Sequence, residues 1–330
     1  MRETKLFATL PEAYVCTPDG MAIDRAGNLI LSCPNYADDA MSGCVLRIDK
    51  ERYIAKWFDV PPHPETGLAR NMGIAFDEDW NIYLCDNQGW SGNPAMVNKG
   101  RILRLTVTEA GEITDFRVVA YGMEHPNGIR IRGGFLYVTQ SSMEKVKDPS
   151  GKLVSAVYRF ALTDQNIAVS NTLDDKNLLA TFLTHNPACQ YGVDGIDFDA
   201  QGRLYVGNFG DGEVIRLVLS ESGEVLTQTS FAKNPAQLTS TDGMFFDEAG
   251  NLYIADFSAN ALAKVTPDGQ VERIAQSPDT DGLHGELDQP GEPIVWEGML
   301  IASCFDLVTD AGKVNTAHEM PATMAYLALD

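Results

Sequence analysis

The sequence predicts an all-β chain folded as a six-bladed β-propeller. Three observations carry that reading: one unit recurs six times, each copy opens on a period-two strand pattern, and no helical pattern of useful length interrupts the series. The copies begin at Asp19 (DGMAIDRAGNLILSCPN), Met72 (MGIAFDEDWNIYLCDNQ), Asn127 (NGIRIRGGFLYVTQS), Asp194 (DGIDFDAQGRLYVGNFG), Asp242 (DGMFFDEAGNLYIADFS) and Glu292 (EPIVWEGMLIASCFD). Their starts lie 53, 55, 67, 48 and 50 residues apart, which is blade spacing.

Within each copy the third and fifth positions are apolar, from Met21 and Ile23 in the first to Ile294 and Trp296 in the last, and such alternation marks a strand. A polar turn such as Asp24-Arg25-Ala26-Gly27 follows, then a second strand such as LILS or LYIAD, so each unit opens with a hairpin. A third strand comes next (CVLRID, RILRLTV, SAVYRFAL, EVIRLVL, ALAKVT, TMAYLAL), and a weaker fourth completes the blade. A parallel α/β fold would need helices between these strands. The segment TKLFATL, ahead of the first copy, is expected to supply an outer strand to the last blade, because closing the ring removes exposed sheet edges. With no break in composition, residues 1–330 read as one propeller domain.

The charge balance, 25 basic against 46 acidic residues for a net of −21, repels nucleic acid and anionic lipid. No stretch approaches the roughly 20 apolar residues of a membrane span, and MRETKLFATLPEAY lacks a secretory core, so a cytoplasmic address is expected. The six cysteines form no CxxC pair and read as reduced thiols. The expected partner is therefore a small molecule. Nothing in the sequence sets an oligomeric state.

In a propeller the first strand of every blade lines the central channel, so the first residues of the copies meet around one opening. They are Asp19, Met72, Asn127, Asp194, Asp242 and Glu292, each followed by Gly or, once, Pro293, small neighbours that let backbones crowd the axis. A single DG is usually a turn; recurrence of oxygen-bearing side chains in one slot is not explained by turns. At about 5 Å and an effective dielectric of about 20, each like-charge pair costs about 3 kcal/mol, so either protons or a cation must sit among the acids. Hard oxygens without His or Cys favour Ca²⁺, or Mg²⁺ or Mn²⁺, over Zn²⁺. Asn71, one place before Met72, is a weaker candidate, since the register favours Met72.

His63, His125, His185 and His284 lie in connectors leading into first strands, and His318 lies in the inner connector of the last blade. Together they suggest a polar pocket at one end of the channel, with His125 placed to reach substrate or shuttle a proton. The long connectors Asn87–Lys99, Gln140–Ser155 and Ser303–Pro321 suggest a lid, with Trp90 and Met96 offering apolar contact. Trp90, Met72, His185 and His318 are the expected substrate contacts. Trp90 and Met96 point to something less polar than a sugar lactone. The run DTDGLHGELD at 279–288 imitates part of a calcium loop at the wrong spacing and reads as a solvated loop.

The stretches HPNGIRI (125–131), YGVDGIDFDAQGRLYVGNF (191–209) and STDGMFFDEAGNLYIADFSANALAKVTPDG (240–269) resemble the senescence marker protein, gluconolactonase and regucalcin family, and more distantly diisopropyl fluorophosphatase and the paraoxonases. The resemblance runs in repeat order over nearly the whole chain. It implies a six-bladed propeller with one divalent metal in the channel that hydrolyses lactones or, in the relatives, phosphoryl esters. By motif, Asn127 takes the PNG role and Asp194 or Asp242 the DG role. The family's first-blade EGP is replaced here by TPDG, which offers Asp19, while GEPIVWEG around Glu292 resembles that motif at the other end of the chain. The implied ligands are Asp19, Asn127, Asp194 and Asp242, with Glu292 replacing or supplementing one. The expected chemistry is metal-assisted lactone opening with Asp194 or Asp242 as base and His125 as second choice. A metal-stabilised propeller that only binds a ligand or protein, or a non-hydrolytic enzyme on the same scaffold, stays open.

Overall fold

In four of the six inner hairpins an aspartate closes the turn, and the third and sixth turn through glycine instead. Asp24 Oδ1 accepts from the backbone N–H of Ala26 and Asn28, both at 2.9 Å, and Asp77, Asp199 and Asp247 accept from the residue four places on at 2.8–2.9 Å. The computed structural model describes residues 1–308 and 313–329. Each hairpin continues outward into a twisted antiparallel sheet, as the repeats predict. The first blade holds β2 (Met21–Ile23), β3 (Leu29–Cys33), β4 (Cys44–Ile48) and β5 (Ile54–Asp59). The second holds β6 (Asn71–Phe76), β7 (Ile82–Asp86), β8 (Gly100–Val107) and β9 (Ile113–Met123), with β13 (Ile167–Ala168) added in parallel. The third holds β10 (Pro126–Arg132), β11 (Phe135–Gln140), β12 (Leu153–Ala161) and β14 (Leu178–Thr184).

The fourth blade holds β15 (Val193–Phe198), β16 (Leu204–Asn208), β17 (Glu213–Leu219) and β18 (Val225–Lys233), and the fifth β19 (Met244–Phe246), β20 (Leu252–Asp256), β21 (Ala261–Val265) and β22 (Val271–Gln276). The sixth runs β23 (Pro290–Trp296), β24 (Met299–Cys304) and β25 (Thr323–Ala328), and its outer strand is the N-terminal β1 (Lys5–Thr9), paired with β25 as expected. The seam is apolar: Phe7, Met21, Leu31, Leu46, Trp296 and Met324 pack between the last and first blades, and Trp296 Nε1 donates to Gly27 O at 2.9 Å. Burial of each such side chain contributes roughly 1.5–3 kcal/mol. Cys16, Cys33, Cys44, Cys85 and Cys304 are buried thiols. Among the described residues no helix is long and apolar enough to cross a membrane.

The inner strands β2, β6, β10, β15, β19 and β23 neighbour one another in a closed ring. In four of them the pairing register slips where the site residues lie: Met72-Gly73, Asn127-Gly128, Asp194-Gly195 and Gly291-Glu292 fall inside the slip. Asp19-Gly20 and Asp242-Gly243 hold the same place just ahead of β2 and β19. Glycine is required after the slot because backbones nearly touch. A Cβ on Gly128 would stand 2.6 Å from Asp194 O, and one on Gly195 would stand 2.2 Å from Asp242 O.

The same register corrects the reading of the sixth copy. Pro290 pairs with Cys304 as Pro126 pairs with Gln140, and Glu292 N–H donates to the Ser303 hydroxyl as Gly128 N–H donates to that of Thr139. Gly291, not Glu292, therefore occupies the slot. Glu292 stands one residue further along the strand.

Candidate active site at the channel mouth

Asp19, Asn127, Asp194 and Asp242, from four blades, converge at the mouth and are 4–8% exposed. Asn127 Nδ2 donates to Asp194 Oδ2 at 2.8 Å and to Tyr191 Oη at 3.2 Å, and Asp194 and Asp242 share a hydrogen bond. The Thr139 hydroxyl on β11 donates to Asp194 O at 2.6 Å and fixes its backbone. Burial and then the Glu292 charge push the Asp19 carboxyl up to about 8. Burial raises Asp194 and Asp242 well above the carboxylate range, and their acidic neighbours raise them further. Of the residues that share this slot of the repeat, Asn127, Asp194 and Asp242 line one pocket, and Asp19 stands beside Gly291. Met72 forms part of the floor, whereas Asn71 turns away, its Nδ2 held by Ser32 Oγ at 2.6 Å and Cys44 O at 3.0 Å.

Glu292 has a different partner from the one anticipated. Arg130, three residues beyond Asn127 and so about 10 Å deeper, reaches across the channel and donates through Nη2 to Glu292 Oε1 at 2.9 Å and to Met244 O at 2.8 Å. Its Nε donates to Asp197 Oδ1 at 3.2 Å. Burial opposes the guanidinium charge, but Asp197 and Glu292 outweigh it and hold it fixed. Arg130 ties blades three to six together beneath the acids.

Above the acids opens a pocket of about 450 Å³, floored by Met72, Asn127, Asp194 and Asp242. Its wall is a chain of rings in mutual contact. Trp90 lies 4.6 Å from Tyr36 and 5.4 Å from Phe305; Phe257 follows at 5.8 Å, Phe209 at 5.6 Å and Tyr191 at 5.2 Å. Trp90 was anticipated; the other five were missed. The signal was in the repeat, since Phe209, Phe257 and Phe305 each directly follow the second strand of their blade. Of the three long connectors, 87–99 contributes Trp90 and 303–321 contributes Phe305, Leu307, Val308 and Lys313, while 140–155 stays outside the lining, as does Met96.

The histidines do not join this pocket. His125 lies within 3.6 Å of where a Cβ on Gly89 would stand, has no partner for Nδ1, and is pushed down to about 4 by burial. His185 is exposed and bonds Asp211 at 3.0 Å. His318 lies 3.2 Å from Asp306 Oδ2, a contact that raises it. The wall positions a proton shuttle would need are taken by aromatic rings.

The loop at 279–288 is not wholly solvated. Asp288, Asp306 and Glu319 bring carboxylate oxygens within 4.8 Å of one another, and Asp288 is 2% exposed. Burial, then Asp306 and Glu319, push Asp288 up to about 8. The folded chain thus keeps a proton that the unfolded chain releases near pH 4, so this carboxyl costs stability progressively as pH rises from about 4 to about 8. In excess chelator, Asp288→Asn is expected to leave stability at pH 4 unchanged and to raise it at pH 8 by about 3 kcal/mol, roughly half the linkage limit. Urea unfolding at the two pH values checks this; equal effects at both would refute it.

No protein-family model matches the chain, and no curated protein matches its sequence. Solved structures match its fold. A luciferin-regenerating enzyme does so with TM-score 0.64 at 13% identity, over 99% of this chain and 95% of the other. A gluconolactonase from Xanthomonas campestris gives TM-score 0.58 at 16% identity over 99% and 95%. Regucalcin from Agrobacterium tumefaciens, described as a calcium-binding protein, gives 0.60 at 13% identity over 99% and 94%. Gluconolactonase and regucalcin thus stand among its structural neighbours, in keeping with the resemblance read from the repeats.

Proposed function

We propose that the chain is a divalent-metal-dependent hydrolase that opens a small lactone or ester at the channel mouth. One observation carries this: hard oxygen donors from three blades, Asn127, Asp194 and Asp242, meet at the floor of a pocket walled largely by aromatic rings, with Asp19 of a fourth blade buried beside them. The donor set fits a calcium-type cation. Three buried carboxyls, each raised by burial and by acidic neighbours, lack a compensating positive charge, because Arg130 is committed to Asp197 and Glu292. Asn127 completes the set once its amide turns its oxygen inward. Held by Asp19, Asn127, Asp194 and Asp242, such a cation would supply polarisation of the scissile carbonyl and neutralise the cage.

The chain's own groups do the proton work. With the cage charge neutralised, an ionised Asp194 or Asp242 carboxylate takes a proton from water as that water attacks the carbonyl carbon. When the acyl carbon–oxygen bond breaks, the departing alkoxide takes this proton, giving a hydroxy acid from a lactone. Burial and the Asp194 charge keep the Tyr191 phenol protonated, so it stands at the pocket wall as a neutral donor to the developing oxyanion.

The test is a panel of lactones and aryl esters assayed with Ca²⁺ and with excess chelator. Hydrolysis that disappears in chelator and returns with Ca²⁺ is expected. No hydrolysis at saturating cation would sink the proposal, and calcium-dependent stabilisation alongside that silence would favour a binding propeller.

A further inference from the structure

The ring of aromatic side chains carries information about the substrate beyond its scissile bond. Along the wall, the side-chain hydrogen-bonding groups are Ser91, Gln190, Lys313 and the hydroxyls of Tyr191 and Tyr36, the last already donating to Asn87 O. A polyhydroxylated sugar lactone would lose water from its hydroxyls here without recovering hydrogen bonds, at roughly 1–3 kcal/mol for each. A flat apolar ring instead gains area and offset or edge contacts with the rings, and the cavity of about 450 Å³ is of a size for a small ring system.

Lys313 adds a second requirement. Among the described residues it is the sole cation lining the pocket, in a chain of net charge −21. Its Nζ lies 4.8 Å from the Phe209 ring centroid and 5.4 Å from that of Phe257, and it donates to Ser258 Oγ at 3.1 Å. No carboxylate of the described residues pairs with it. An ammonium has three protons to give, so two stay available to a ligand. The pocket is polarised, with acids on its floor and this cation on its wall. An anionic group on the ligand finds its side-chain partner on the wall at Lys313, where a charge-assisted hydrogen bond forms beside the Phe209 and Phe257 rings.

We propose that the substrate is a flat, ring-bearing lactone or ester carrying one anionic group, its ring within the aromatic wall and its anion on Lys313. This rests on the hydrolase reading only for the bond that is cleaved. The test therefore reads binding: quenching of Trp90 fluorescence, with Ca²⁺ present, by coumarin-3-carboxylate and by the neutral coumarin-3-carboxamide, with a Trp90→Phe variant giving the background from the other tryptophans. The carboxylate is expected to bind at least about tenfold more tightly than the carboxamide. Lys313→Met should abolish that preference, Lys313→Arg should keep it, and gluconolactone should not displace the probe. Equal binding of the two coumarins, a preference that survives in Lys313→Met, or displacement by gluconolactone would overturn the inference. Because no turnover is needed, a chain that binds as expected but hydrolyses nothing would defeat the hydrolase reading alone.

Discussion

Replacing Asp194 by alanine is expected to lower turnover by at least about 10³-fold and to remove high-affinity cation binding, while leaving the chain folded. The carboxyl sits where the proposed chemistry needs two things at once, a ligand oxygen and a base, and removal of a single charged group from such a site typically costs two to three orders of magnitude for either role. Stability should move the other way. Asp194 is fully buried, and its proton is held against the ordinary carboxylate range by burial and then by Asp19 and Glu292. Since the folded state binds a proton that the unfolded state releases, this group costs stability as pH rises past about 4. In chelator at neutral pH the alanine variant should therefore be at least as stable as the parent. Opposite signs for activity and stability are the mark of a side chain kept for function. The measurement pairs lactone turnover and calcium titration with urea unfolding in chelator. Full activity in Asp194→Ala defeats the hydrolase reading, and a stability loss of the size seen for core cavities would show Asp194 to be structural. Asp194→Asn separates the two roles, since it keeps a partner for Asn127 but can neither hold a proton nor offer an ionised oxygen.

The fold was legible because a propeller repeats its instructions. Six copies of one hairpin pattern, four of them closed by an aspartate turn, leave little freedom, and the need to cover a sheet edge places TKLFATL against the last blade. Four of the proposed ligands were legible for the same reason, since a position in the repeat becomes a position around the axis. Position in the repeat is a poorer guide where symmetry is broken. In the sixth copy the oxygen-bearing residue sits one place past the slot, so its pattern suggests Glu292 where the strand register and the Ser303 hydroxyl assign Gly291. The aromatic wall was hidden for another reason: Phe209, Phe257 and Phe305 follow buried strands, and an apolar residue after a strand reads as core. Only the connector geometry shows those rings turned toward the mouth. The histidines misled because sharing one end of the channel is weaker than sharing one slot.

The second large effect concerns Arg130, and its sign depends on pH. Changing Arg130 to methionine is expected to destabilise the chain by about 3–5 kcal/mol at pH 8, because Asp197 and Glu292 would be left as buried charges with no cation between them. Even with Arg130 present, burial holds both carboxyls above their ordinary range, with the guanidinium working against it. Without it they rise further. A carboxyl whose folded value lies above its unfolded value near 4 contributes most favourably below that value and loses ground as pH climbs toward the folded one. The deficit of Arg130→Met should thus shrink toward pH 4, as protonation removes the charges that Arg130 offsets, and reach its full size at pH 8. Urea unfolding across that range separates this from simple loss of packing, which would be pH-independent and would count against an electrostatic role. A triple variant with Asp197→Asn and Glu292→Gln should recover most of the loss, since removing all three charges leaves no carboxylate stranded in the channel.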